Sequence, residues 1–104
     1  MVVVAKGRKG QYSANAEYLN GSVILKKGSM ISLEVCNRKL PMNVERLRSD
    51  SSIVNSEGVI LTDITFTTPS MAATFVTGNI SNGFRVWKTE DGKKLGDVIA
   101  KEKK

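Results

Sequence analysis

Histidine is absent from this chain of 104 residues, and cysteine occurs only once. Without histidine, neither a Ser-His-Asp triad nor a Cys-His pair can form. A single cysteine without histidine also excludes the usual zinc sites. We therefore expect no catalytic residues, no metal and no other cofactor. One alternative stays open, in which the fold brings Asp63 together with another acid into a two-carboxylate site.

Long apolar runs and disulfides are missing as well. The longest apolar run falls far short of the roughly 20 residues that a membrane span needs, and residues 1–10 lack the apolar centre of a secretory signal. One cysteine cannot form an internal disulfide, which suits a reducing compartment. These absences predict a cytoplasmic protein with no membrane contact, and the length predicts one domain.

Acidic residues are too few to balance the basic ones, and the net charge is +6. Residues 1–10 hold three basic residues and no acid, residues 93–104 hold five lysines against two acids, and eight of each sign cancel between them. We expect a basic N-terminal segment at 1–10, one globular domain at 11–98 and a lysine-rich C-terminal tail at 99–104. Such ends can contact phosphates without reading base sequence; alternatively, they only aid solubility.

Several stretches have the pattern of β-strands. The β-branched residues 2–4 predict an edge strand, and Asn20-Gly21 between two β-rich runs predicts a hairpin. Residues 31–36 and 59–66 alternate between apolar and polar, as half-buried strands do. In the second of these segments one apolar face comprises Ile60, Ile64 and Phe66.

The main helix is predicted at about residues 69–77. Thr68 can cap its free amides, Pro69 suits its first position, and Gly78 can end it in the left-handed conformation. Apolar residues recur at spacings of one, three and four, which predicts a single apolar face.

Shorter elements complete the predicted fold. A short helix is expected at residues 41–48, an extended segment at 84–88 and a last helical turn at 95–99. Together these elements predict an α+β fold. It is a small antiparallel β-sheet with the main helix packed on it and short additional helical turns.

Polar residues crowd the start of the main helix. Thr68 and Ser70 lie where free amides and the helix dipole favour an anion such as phosphate. The alternative is that both serve only as caps. Asn82 either sets a turn or pairs with an adenine edge.

Basic and aromatic residues alternate shortly afterwards. Arg85 and Lys88 flank Trp87, so that a strand would present guanidinium, indole and ammonium groups together, and a base would stack on the indole. The alternative is that Phe84 and Trp87 are core anchors. With the two lysines of an earlier turn, the candidate nucleic-acid-binding residues are Lys26, Lys27, Thr68, Ser70, Asn82, Arg85, Trp87 and Lys88.

The order of short motifs in this region resembles one known family. The motifs are Pro69-Ser70, Ala72-Ala73, Gly78, Asn82-Gly83, Trp87-Lys88, Asp91-Gly92 and Leu95. They resemble the C-terminal signature of the domain of unknown function 4357 family, and the resemblance covers roughly residues 15 to 98. Two positions depart from the pattern, because Thr68 stands where serine is usual and Phe84 where tryptophan is usual.

The resemblance implies a role beside DNA-handling enzymes. Such domains occur alone or attached to GIY-YIG nucleases, and they are similar to the RAMA domain, which is associated with restriction–modification systems and proposed to read modified DNA. No ligand-binding residue is carried over. We expect a non-catalytic accessory module that binds nucleic acid, with DNA as the expected ligand and a nuclease or methyltransferase as an expected partner. The alternatives are a protein-interaction module without nucleic-acid contact and, more weakly supported, a small-molecule sensor.

Overall fold

The fold combines a four-stranded antiparallel sheet with helices, and it is the predicted α+β fold. The computed structural model describes residues 1–7, 10–35 and 40–102, with side chains up to residue 100. The strands are β1 (Val2–Lys6), β2 (Ser13–Leu19), β3 (Ser22–Leu25) and β4 (Ile64–Phe66). The helices are α1 (Met42–Ser49), α2 (Pro69–Thr77), α3 (Gly83–Val86) and α4 (Leu95–Glu102).

Turn chemistry and pairing set the strand order β1-β2-β3-β4. Asn20 and Gly21 have φ angles of 49° and 89°, the positive values that a two-residue turn between β2 and β3 requires. The predicted hairpin is therefore confirmed. β1 lies at the edge of the sheet, as predicted, and Lys88 adds a single bridge to Val4 on its outer side.

One face of the sheet is buried and the other is open. Alternate residues of each strand point to opposite faces. The buried face comprises Val3, Ala5, Ala14, Ala16, Val23, Leu25, Ile64 and Phe66. The residues between them are exposed or half-buried, and we call their side the open face.

Helix α2 begins and ends as predicted. The Thr68 hydroxyl accepts a hydrogen bond from the Met71 N–H at 3.1 Å, and Gly78 closes the helix with a φ of 75°. The prediction of a single apolar face is wrong, because α2 is buried on almost every side. The reason is that β3 and β4 pack on one side and α1 and α3 pack on others. Phe75 joins it to the sheet, with its ring centroid 5.3 Å from that of Phe66.

The strand predicted at residues 31–36 is wrong over its described part, residues 31–35. Leu33 is 66% exposed. The backbone of this segment donates hydrogen bonds to a loop and to a helix rather than to a strand. The Ile31 N–H donates to the Gly58 carbonyl and the Ser32 N–H to the Val76 carbonyl, both at 2.8 Å. The chain therefore turns from the sheet toward the end of α2. Residue 36 lies outside the described residues.

The strand predicted at residues 59–66 is shorter than expected. Only β4 is a strand, and Val59 and Ile60 form single bridges to other loops. The predicted apolar face is nevertheless confirmed. The apolar face, which comprises Ile60, Ile64 and Phe66, is buried.

Two further predictions differ in outcome. The short helix is confirmed as α1, and Val44 rather than Met42 faces inward, because Met42 is 62% exposed. The extended segment predicted at residues 84–88 is wrong over residues 84–86, where α3 makes a helical turn, and is confirmed at Trp87 and Lys88, which are extended. The Asn82 side chain caps this turn by accepting a hydrogen bond from the Phe84 N–H at 3.0 Å.

Regular secondary structure extends beyond the expected domain limits of residues 11 and 98 on both sides. β1 begins at Val2, and α4 continues to Glu102. Residues 8, 9, 103 and 104, which carry part of the terminal charge, lie outside the described residues. Within the described ranges, no helix combines the length and apolar character needed to cross a bilayer.

Candidate nucleic-acid interface

The polar residues at the start of α2 form contacts within the chain. The Ser70 hydroxyl accepts a hydrogen bond from the Gly83 N–H at 3.1 Å, while Thr68 and Asn82 cap α2 and α3. Gly83 lies directly on the Pro69 carbonyl, where a side chain would collide. The alternative role as a cap of α2 is therefore confirmed for Thr68, whereas Ser70 joins α2 to α3.

Trp87 is a core anchor. Its side chain is fully buried, and the indole Nε1 donates a hydrogen bond to the Pro69 carbonyl oxygen at 3.1 Å. The interpretation in which a base stacks on an exposed indole is therefore wrong, because no ring face is accessible. Phe84, which stands where the family pattern has tryptophan, is 41% exposed.

Lys88 leaves this buried region and reaches the open face of the sheet. Its backbone exchanges two hydrogen bonds with Val4, at 2.7 and 2.9 Å, and on its other side it bridges Lys94. Directly opposite residues of antiparallel strands point to the same face. Val4 in turn faces Asn15, whose carbonyl oxygen accepts a hydrogen bond from the Lys26 N–H at 2.9 Å.

Five residues thus follow one another across the open face. We call them the lysine row: Lys94, Lys88, Val4, Asn15 and Lys26. With about 4.5–5.5 Å between opposed Cα atoms, the row is about 20 Å long. Lys88 and Lys94 face each other directly, an arrangement of like charges that destabilises a sheet unless an anion compensates it.

Asp63 offsets the positive charge at the far end of the row. One carboxylate oxygen lies 3.9 Å from the Lys26 ammonium, and the other accepts a hydrogen bond from the Lys27 N–H at 2.8 Å. The excess positive charge of the row is therefore concentrated around Lys88 and Lys94.

A groove of about 460 Å³ adjoins that end of the row. We call it the basic groove, after the residues Lys6, Arg85 and Lys88 that line it together with the ring of Tyr12. Among the described residues that line the groove, Glu90 is the acid. At its rim, Asp91 accepts a hydrogen bond from the Thr89 hydroxyl, which lowers the pKa of that carboxyl.

The structure thus divides the candidate residues into three places. Arg85 and Lys88 meet in the basic groove, Lys26 and Lys27 lie at the far end of the row, and the other four surround the start of α2. Sequence reasoning missed Lys6 and Lys94 as individual site residues, although it counted their charge in the terminal segments. The alternation of β1 would have placed Lys6 on the face of Val4. No local pattern pairs Lys94 with Lys88.

Fold and site together define an α+β domain with a helix-backed sheet and a row of lysines across its open face. The chain belongs to the family described as a domain of unknown function (DUF4357), whose model matches residues 3–99. The family resemblance is therefore confirmed over nearly the whole chain. Searches of curated proteins and of solved structures found no match.

Proposed function

We propose that this chain is a non-catalytic accessory module that binds DNA through the lysine row and the basic groove. The observation that carries the proposal is the direct opposition of Lys88 and Lys94 beside Lys6 and Arg85. A row of phosphates would compensate these like charges. The net charge of +6 adds long-range attraction to the same ligand.

Phosphate contacts predict a measurable salt dependence. Four cations, Lys6, Arg85, Lys88 and Lys94, would release about four counterions from duplex DNA. The logarithm of the binding constant should then fall with the logarithm of salt concentration at a slope of about −3.6. Contacts of this kind give affinity and orientation but carry no base sequence.

The test is a titration of labelled duplex DNA at two salt concentrations with matched charge reversals. Lys88→Glu should weaken binding by about tenfold at low salt and make the slope shallower. Arg46→Glu changes the net charge equally on the exposed side of α1 and should have a much smaller effect. Equal losses from both variants, or no binding at low salt, would refute the proposal.

The module that we propose acts in the cytoplasm beside a nuclease or methyltransferase of a restriction–modification system. The family resemblance supports this setting. Co-purification of the chain with such an enzyme, and a gain of DNA affinity in the complex, would test it.

A protein-interaction module without nucleic-acid contact is the second candidate. The observation that favours it is the exposure of Leu33 and Val35, at 66% and 52%, in the loop beside α2. The variant Leu33→Asp should lose binding of a partner that docks there and keep DNA binding. The variant Lys88→Glu should keep the partner and weaken DNA binding.

A further inference from the structure

A second cavity shares a wall with the basic groove. It has a volume of about 490 Å³, and the side chains of Tyr12 and Val86 line both cavities. We call it the polar pocket, after the residues Gln11, Ser32, Glu34 and Asn79 that line it. Its volume lies within the range of about 300–1,000 Å³ that small-molecule sites occupy.

The two cavities differ in charge. Three cations are among the described residues that line the basic groove, whereas the described residues that line the polar pocket include Glu34. The pocket also lies at the end of α2, where the helix dipole is negative. The cations of the groove therefore attract an anionic group such as phosphate.

Amide side chains provide the pocket with both donors and acceptors. Gln11 and Asn79 are exposed, and each offers an N–H₂ and a carbonyl oxygen. Glutamine, asparagine and glutamate side chains are the neutral and acidic groups that pair with base edges. The hydroxyls of Thr77 and Ser81 are 2.9 Å apart and bonded to each other, so they help to hold the wall in place.

Tyr12 stands between the cavities because Gly7 leaves room for its ring. A Cβ atom at Gly7 would lie 2.6 Å from the ring atom Cε2, and the Gly7 N–H donates to the Tyr12 carbonyl at 2.9 Å. The Tyr12 ring is half-buried against the core, and its exposed part lines both cavities.

We propose that the polar pocket takes the base of an unpaired nucleotide whose phosphate lies in the basic groove, with Tyr12 between them. This inference rests on the proposed function for the contact with the phosphate, and it adds a binding site for the base. The cations of the basic groove attract the phosphate and so set the orientation of the nucleotide. The amides of Gln11 and Asn79 contact the base edge. Bases of a duplex do not reach the pocket, because their edges are paired and stacked.

The test compares two single-stranded oligonucleotides of equal length, one with bases and one abasic throughout, so that the phosphates are identical. The native chain should bind the first about tenfold more tightly, as expected when one base is held by an aromatic side chain. The double variant Gln11→Ala/Asn79→Ala should lose most of this difference. Asn43→Ala, at an exposed amide on α1, should keep it.

Two further measurements separate this inference from the proposed function. Duplex binding at low salt should be unchanged in Gln11→Ala/Asn79→Ala, because the cations remain. Gly7→Ala, which displaces the Tyr12 ring, should reduce the difference between the oligonucleotides, and circular dichroism of each variant checks that it is folded.

The outcomes are distinguishable. Equal affinity for the two oligonucleotides in the native chain overturns the base pocket, while duplex binding decides the proposed function by itself. A nucleoside 5′-monophosphate that binds as tightly as the oligonucleotide, and is lost in the double variant, supports the pocket with a free nucleotide as its ligand.

Discussion

The indole Nε1 of Trp87 donates a hydrogen bond to the carbonyl oxygen of Pro69, and this contact joins the end of α3 to the start of α2. The next residue, Lys88, pairs with Val4 on β1. The buried tryptophan therefore determines where the adjacent lysine meets the sheet, so that a core contact positions the basic surface.

Replacing the tryptophan should lower stability. Trp87→Phe removes the buried hydrogen bond and part of the ring volume, and we expect a loss of about 1–3 kcal/mol in the free energy of unfolding. Urea denaturation measures it. Phe84→Leu, at a partly exposed neighbouring aromatic, should cost much less. Similar midpoints for the two variants would contradict the core role of Trp87.

A side chain at Gly83 should also be destabilising. A Cβ atom there would overlap the carbonyl of Pro69, a backbone group of α2 that cannot rotate away. We expect Gly83→Ala to cost about 1–3 kcal/mol, as overpacking does. The control is Gly96→Ala in α4, where the nearest atom lies 3.1 Å away on the Phe84 side chain. Equal urea midpoints for the two variants would contradict the close packing of Gly83 against Pro69.

Arg48 should not tolerate lysine. Its Nη1 and Nη2 atoms donate to the Ser32 carbonyl oxygen at 2.9 and 2.6 Å, and burial lowers the pKa of the guanidinium. Lysine cannot reproduce this two-pronged contact, so Arg48→Lys should lose about 1–2 kcal/mol of stability. Arg46→Lys, on the exposed side of the same helix, is the control and should be near neutral.

Removing the acid at the far end of the lysine row should strengthen DNA binding. Asp63→Asn keeps an oxygen for the Lys27 N–H but frees the charge of Lys26. We expect affinity for duplex DNA to rise about 2- to 5-fold at low salt and the gain to shrink at high salt. Glu57→Gln, at an exposed turn away from the row, provides the comparison. A fall in affinity would indicate that DNA does not cross this face.

Stability should fall on the acid side of neutral pH. The pKa of Asp50 is lowered by the Ser52 hydroxyl and that of Asp91 by the Thr89 hydroxyl. A carboxyl whose folded pKa is depressed stabilises the fold above its unfolded pKa, and this contribution is lost as pH falls through the folded value. With no histidine, no side chain titrates at its usual pKa between about pH 5 and 8.

Thermal unfolding followed by circular dichroism checks this expectation. The midpoint should be level from about pH 5 to 8 and decline below about pH 4. Asp50→Asn should flatten part of the acid decline. A transition centred near neutral pH would contradict this expectation.

Much of the fold was predictable because its signals are satisfied within a few residues. The Asn20-Gly21 turn, the Thr68 cap and the Gly78 terminator each depend on local backbone geometry. Alternation was less informative, since it does not reveal whether a partner strand is available. Residues 31–35 alternate, yet their backbone bonds to a loop and to the end of α2.

The candidate site was only partly predictable. Arg85 and Lys88 were identified from their proximity in the sequence, and the structure places them in one groove. Lys6 joins them from the opposite end of the chain, through the pairing of Val4 with Lys88. Trp87 could not be assigned from sequence, because an aromatic beside two basic residues fits a buried and an exposed position equally well.

The sequence by itself determined the caps, the hairpin, the net positive charge and the absence of histidine chemistry, because these depend on residue type and on immediate neighbours. Only the tertiary structure decided which lysines share a surface. Pairing between distant segments depends on how the core around Trp87 packs, and no local pattern encodes that contact.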